Sequence, residues 1–352
     1  MSGGHTENMT PRERFHAALD RRTVDRVPLF YQHLGAAKWL LRSTGLRMFD
    51  GFHDPEVFAR LSLAAHEMYG FDNVMAGWGD LLVEAQAHGT IWRFPERDFY
   101  PRAERYLPMD EVDRVQPVDP REDRFWSVPL AAAGIMMDRV GREVAVVGCL
   151  NAPAMVASEI VGMENLMMAY LTDPGPVLDL MKVLAESSRR YGERLAEMGV
   201  EDVFIENSTA GEEMISEEMY ERYDRACLRT VMGSFRRNGM RTILHNCTAR
   251  PYWRSQLETG PTALHLHLRS VDVPEVFAAV RGRACMVAGI DHMELMFGGT
   301  PGAVEDEVKA TVERWGAGPG LMLGPGCEMP YRTPVENIGA LRDGAARYGT
   351  RS

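Results

Sequence analysis

No run of about eighteen apolar residues occurs in this chain, so no segment is expected to cross a bilayer as a helix. The opening, Met1-Ser-Gly-Gly-His-Thr-Glu-Asn-Met9, lacks both the basic and the apolar stretch of a secretory signal. Cysteine is scarce: five residues in 352, odd in number and widely spread. That pattern does not fit a disulfide framework and predicts reduced thiols in the cytoplasm. Positive charge is in deficit too. Lys and Arg total 39 against 50 Asp and Glu, a net charge of −11, with no basic stripe. This argues against nucleic acid as a partner. Low-complexity tracts, internal repeats and a clear linker are also missing, so a single domain over residues 1–352 is expected.

What is present is a hydrophobic fraction of 45 % with 25 % charge, the make-up of a soluble protein with a large core. Thr10-Pro-Arg-Glu13 is a capping box with proline at the first helical position, followed by Phe15, Ala18 and Leu19 at helical spacing. A second helix is expected from Pro55 to Tyr69, stopped by Gly70. Eight short apolar runs read as strands: 27–31, 72–77, 144–150, 202–207, 241–247, 263–268, 284–290 and 321–326. Helical patterns lie between most of them, such as 177–198 and 217–238, each ending at a glycine. Eight buried strands alternating with helices predict an α/β fold, a (β/α)8 TIM barrel, with a doubly wound sheet plus an added lobe as the alternative. The interval 78–143, after the second strand, is expected to be an insertion containing a hairpin and capping the C-terminal mouth, although a separate packing lobe fits as well.

Chemistry gathers at the strand ends. His245-Asn-Cys247 ends one apolar run and Cys327 follows another, in Gly324-Pro-Gly-Cys327. Residues i and i+2 of a strand point the same way, so His245 and Cys247 are able to reach one ion. Two sulfurs and an imidazole suit zinc, and three protein ligands leave a fourth position open. The plainer alternative is a buried histidine near unrelated core cysteines. His267 and Asp291 close the two neighbouring runs, so five coordinating side chains come from the ends of four adjacent strands. Asp80, Glu84 and Glu206-Asn207 stand at further strand ends, as pocket lining, ligand support or helix caps. Of the 23 methionines, those in Met163–Met168 read as flexible core packing rather than a metal or cofactor box.

Taken together, these segments resemble the uroporphyrinogen decarboxylase superfamily, in its zinc-dependent branch of cobalamin methyltransferases. The likeness runs through Thr10-Pro-Arg-Glu-Arg-Phe15, Asp25-Arg-Val-Pro28, Gly70-Phe-Asp-Asn-Val74, Ile215-Ser-Glu-Glu-Met-Tyr220, His245-x-Cys247, Gly289-Ile-Asp291, Gly299-Thr-Pro301 and Gly324-Pro-Gly-Cys-Glu-Met-Pro-Tyr-Arg-Thr-Pro334. The H-x-C and G-C-x-x-P pair is the part specific to the zinc branch. It implies zinc on His245, Cys247 and Cys327. It further implies a methyl group moved between a corrinoid and a small-molecule thiol that the metal activates. The corrinoid would be methylcobalamin or a corrinoid protein docked over the mouth. His267, Asp291 and Glu206 are the expected catalytic residues, His267 either as a fourth ligand or as the base for the thiol.

Three positions depart from the branch's pattern: Thr248 stands where glycine is usual, His267 where an acid is usual, and Cys149 where proline is frequent. The methyl acceptor thus stays open among coenzyme M, homocysteine-like thiols and a reduced pterin. Competing readings are a corrinoid-dependent O-demethylase, a corrinoid- or zinc-binding protein without turnover, and a metal-free decarboxylase of tetrapyrroles. The last needs an arginine clamp for carboxylates after the first strand, where Phe30-Tyr-Gln-His-Leu-Gly-Ala36 has none.

Overall fold

The computed structural model describes residues 8–32, 38–77, 82–93 and 101–350. Seven parallel strands form one curled sheet: β1 (Asn73–Ala76), β4 (Ala145–Asn151), β5 (Asp202–Glu206), β6 (Arg241–Asn246), β7 (Ala263–His267), β8 (Cys285–Ile290) and β9 (Leu321–Pro325), in that order. A separate antiparallel hairpin pairs β2 (Ile91–Arg93) with β3 (Arg102–Arg105). Nearly every residue of the seven strands is buried, as a parallel sheet covered on both faces requires. The expected capping box is there: Thr10 N–H donates to Glu13 at 2.8 Å and Glu13 N–H to Thr10 Oγ1 at 3.2 Å. The helix Pro55–Tyr69 ends on left-handed Gly70. Among the described residues no helix is long and apolar enough to cross a membrane.

Seven of the eight expected strands lie within two residues of their expected bounds. The first, 27–31, does not form a ladder. It makes one parallel bridge, Leu29 to Leu323, flanked by Phe30 N–H to Leu323 O at 2.7 Å and Leu323 N–H to Pro28 O at 3.0 Å. Proline has no N–H to contribute there. Towards β1, one backbone bond, Asp72 N–H to Leu29 O at 3.0 Å, is supplemented by side chains. Leu29 N–H donates to Asp72 Oδ2 and Tyr31 N–H to Asn73 Oδ1, each at 2.7 Å, while Asn73 Nδ2 donates to Tyr31 O at 2.9 Å. The segment is thus stitched between β9 and β1, the two outer strands of the sheet.

That seam is held from below by ions. Asp72, fully buried, accepts from Arg14 at 2.6 Å and from Arg26 at 2.8 Å, and Arg14 also binds Asp25. Burial alone would raise the pKa of Asp25, but hydrogen bonds from Arg14 and from the Met9 amide bring it down to about 2. The Thr10–Phe15 and Asp25–Pro28 motifs are therefore the staple of the seam.

Two further differences from expectation concern helices and the interval 78–143. The expected helix 217–238 is interrupted: Glu217–Met219 leads into a π-turn, Tyr220–Asp224, before Arg225–Arg237. The wider turn carries Asp224 inward, where it accepts from Asn207 Nδ2 at 2.9 Å and Thr209 Oγ1 at 2.6 Å. In the interval, the hairpin is present, and Leu107, Met109, Val112 and Val115 join a second apolar cluster with the helices that follow β4. Glu84 reaches the last residue of β4, accepting from Asn151 N at 3.1 Å and Nδ2 at 2.8 Å. Ser127–Val140, at the end of the interval, is a helix packed on Pro55–Tyr69.

Candidate metal centre

Strand β6 delivers His245, fully buried, and Cys247 lies one residue past its end. Cys327 follows β9 after Gly326. One ligand atom each from His245, Cys247 and Cys327 lies within 4.8 Å of the other two. Asn246, facing away between the two β6 ligands, fixes the turn. Its Nδ2 donates to Ala210 O at 2.8 Å and Gln256 Oε1 at 2.9 Å, and its Oδ1 accepts from Thr248 N at 3.0 Å and Oγ1 at 2.8 Å. On the other side, Gly326 passes so close to His267 that a side chain there would collide with the imidazole. Only glycine lets the loop bring Cys327 in.

The imidazole of His245 stacks on Phe204, centroids 5.3 Å apart, and lies 4.5 Å from the ring of His265. Its Nε2 is 3.3 Å from the Gln32 amide. With the amide oxygen turned to the ring, Gln32 would accept the Nε2–H and leave Nδ1 as a lone pair. Nδ1 is buried and has no hydrogen-bond partner among the described residues. Such an orphaned nitrogen beside two sulfurs is what a Cys2His ion site requires, so the residues fit a divalent zinc.

The thiols are uneven. The neighbouring Cys327 thiol holds the Cys247 pKa well below that of an ordinary thiol; burial opposes this and His245 assists it. Ser208 Oγ lies 3.4 Å from the same sulfur. Cys327 in turn is pushed well above the usual range by its bond to Cys247, by burial and by the negative charge of Glu206. The two shifts run in opposite directions because the thiols act on each other; a divalent cation would favour the charged form of both.

The other expected site residues separate into groups. Glu206 ends β5 beside the sulfur cluster and is 8 % exposed. His267 and Asp291 are brought together with His292 in a neighbouring group, one ligand atom of each within 4.8 Å of the others, near enough that the charges of Cys247 and His245 reach both histidines. Burial lowers the pKa of both His267 and His292. Asp291 also caps the turn that follows it, accepting from Met293 N and Glu294 N at 2.8 Å. Cys149 is buried against Gly77, as core. Asp80 lies outside the described residues. Gln32, Ser208, His265 and His292 were not singled out from the sequence. Of these His265 alone carried a signal, two residues before His267 on the same strand face.

Known proteins resemble this chain over nearly its whole length. Methylcobamide:CoM methyltransferase MtbA of Methanosarcina acetivorans is 25 % identical over 342 residues, covering 96 % of this chain and 98 % of its own. A methylated-thiol–coenzyme M methyltransferase of Methanosarcina mazei is 24 % identical over 342 residues, 94 % of this chain and 88 % of its own. A solved methyltransferase structure from Methanosarcina mazei superposes with a TM-score of 0.87 at 23 % identity, over 97 % of this chain and 99 % of the other. The two named relatives are methyltransferases, and the likeness to the solved structure is one of fold. The signature of the uroporphyrinogen decarboxylase (URO-D) family matches residues 10–348, and the chain belongs to that family.

Proposed function

We propose that this chain is a zinc-dependent methyltransferase that moves a methyl group between a corrinoid and a small-molecule thiol. The observation that carries the reading is the convergence of His245, Cys247 and Cys327 within 4.8 Å, with the His245 Nδ1 buried and unpartnered. In support, the curated relatives are named for methylcobamide, methylated thiols and coenzyme M. The sheet is read as a barrel closed through residues 27–32, with the segment around Glu84 at its C-terminal mouth.

When bound, zinc would act as a Lewis acid that lowers the pKa of an incoming thiol and so makes it nucleophilic towards a methyl group. The rest is the work of side chains. His245 and the two cysteines hold the ion, Gln32 orients His245, and the Ser208 hydroxyl steadies the Cys247 sulfur. Glu206 is the group assigned to take the thiol's proton, since its charge is already felt at Cys327. Phe204 and His265 wall the imidazole and keep water off it. The corrinoid, free or on a carrier protein, is the methyl-bearing co-substrate.

The test combines metal analysis with turnover. Zinc retained by the purified protein should drop on Cys247→Ser and on Cys327→Ser. Wild type should convert methylcobalamin and a thiol, coenzyme M first in the panel, to the methyl thioether, read by the corrinoid's absorbance. Folded wild type that takes up no sulfur-ligated zinc under reducing conditions would sink the proposal.

A further inference from the structure

Strands β7 and β8 lie between the strands that supply the sulfur cluster, and their ends carry a second cluster of a different kind. His267 closes β7, and Asp291 and His292 follow β8. Two imidazoles and a carboxylate, with no sulfur, lie within 4.8 Å of one another. His267 Nδ1 lies 3.1 Å from Ser270 Oγ. With Nδ1–H donating to that hydroxyl, the Nε2 of His267 is a bare lone pair, the arrangement by which a hydrogen-bonded partner orients a ligating histidine.

Both remaining nitrogens lack a use within the protein. His267 Nε2 and His292 Nδ1 are buried and have no hydrogen-bond partner among the described residues. The two rings stand at 77° with centroids 5.3 Å apart. Asp291 Oδ1 is 3.9 Å from His267 Nε2, too far for a hydrogen bond and close to what two ligands of one ion span. Arg269 binds Asp291 Oδ2 at 3.0 Å and also exposed Glu294, so an ion here would share Asp291 with a guanidinium and rest mainly on the two imidazoles.

We propose that His267 Nε2, Asp291 and His292 Nδ1 form a second binding site for a divalent first-row transition ion, with zinc as the reference ion. Nitrogen and oxygen ligands of this kind suit zinc, cobalt, nickel or iron, and three protein ligands leave room for an oxygen of a small molecule. The site uses none of His245, Cys247 or Cys327, so it stands or falls separately from the function proposed above.

Cobalt(II) separates the two sites, because thiolate ligands give it a strong sulfur-to-metal charge-transfer band that imidazole and carboxylate do not. The full-length protein, reduced and stripped of metal, is titrated with cobalt(II) alone, and bound metal is counted beside the spectrum. About two equivalents should bind wild type, only one of them building the sulfur band. His292→Ala and His267→Gln should each lose one equivalent and keep the sulfur band in full, which also certifies that the variants fold. Cys247→Ser should do the reverse. A sulfur-free equivalent that binds wild type without any sulfur band, and is lost in His292→Ala, would support this site while removing the sulfur centre. A single equivalent in wild type, unaffected by either histidine variant, overturns the proposal. Loss of the sulfur band in the histidine variants overturns it too, since the histidines would then belong to the first centre.

Discussion

Thr248 stands where the zinc-branch pattern has glycine, and its extra bulk is received by a residue far away in sequence. A Cβ on Gly211 would come within 2.5 Å of Thr248 Oγ1 and within 2.6 Å of its Cβ. Gly211→Ala should therefore cost about 1–3 kcal/mol in urea unfolding, through overpacking beside the metal loop. Thr248→Gly in the same chain should restore most of it; equal losses in the single and double variants would refute the pairing. Glu84 carries a second residue-scale expectation. Burial raises its pKa to about 8 against the lowering effect of Asn151. Between 4.5, its ordinary value, and about 8 the folded chain keeps a proton that the unfolded chain has released. Stability then falls as pH rises through that window, and no penalty exists below it. Glu84→Gln should remove this slope and be more stable than wild type by a few kcal/mol at pH 8, with the gap closing towards pH 5. A gap that does not change with pH would contradict the buried neutral acid. At this scale the convergence of three side chains was legible, since His245 and Cys247 share a strand face and Cys327 follows a strand end. The residues that serve them were not. Gln32, Ser208 and Gly211 reach the cluster from other elements, and nothing in their own neighbourhoods marks them.

Among the elements, strands were easier to read than their connections. A buried parallel strand is a short continuous apolar run, and seven such runs became ladders. The eighth, 27–31, has the apolar residues but also Pro28, and its edge towards β1 is satisfied largely by the Asp72 and Asn73 side chains, which no periodicity reports. The π-turn at Tyr220–Asp224 was hidden for a related reason. One added residue per turn leaves the helical pattern almost intact, while the need to bring Asp224 to Asn207 and Thr209 is tertiary. Asp72 is the element-scale test. Asp72→Ala takes one of two carboxylates from Arg14, wholly buried, and leaves the Leu29 amide without its acceptor. A loss of about 3–5 kcal/mol in unfolding free energy is expected, the range for breaking a buried ion pair from one side. A loss near that of a surface ion pair would mean that the seam is not held there.

For the molecule as a whole, the alternation of runs and helices was enough to give the sheet, its order and the end at which polar residues collect. What the interval 78–143 does was not, because a hairpin and a stretch of helix pack on whichever apolar surface the fold leaves them. The seam has a consequence for the molecule as a whole. Residue 31 is tied to β1 through Asn73, and residue 32 is the glutamine beside His245. Parting the outer strands would thus pull the imidazole's support away, and an ion on His245 would resist that parting from across the sheet. With zinc bound as proposed, metal occupancy and closure would be one equilibrium: each factor gained in metal affinity on closing would be returned as resistance to opening. The protein would behave as a ring with a clasp, loosest when stripped of metal, and its seam would give way to acid or heat before its ladders do.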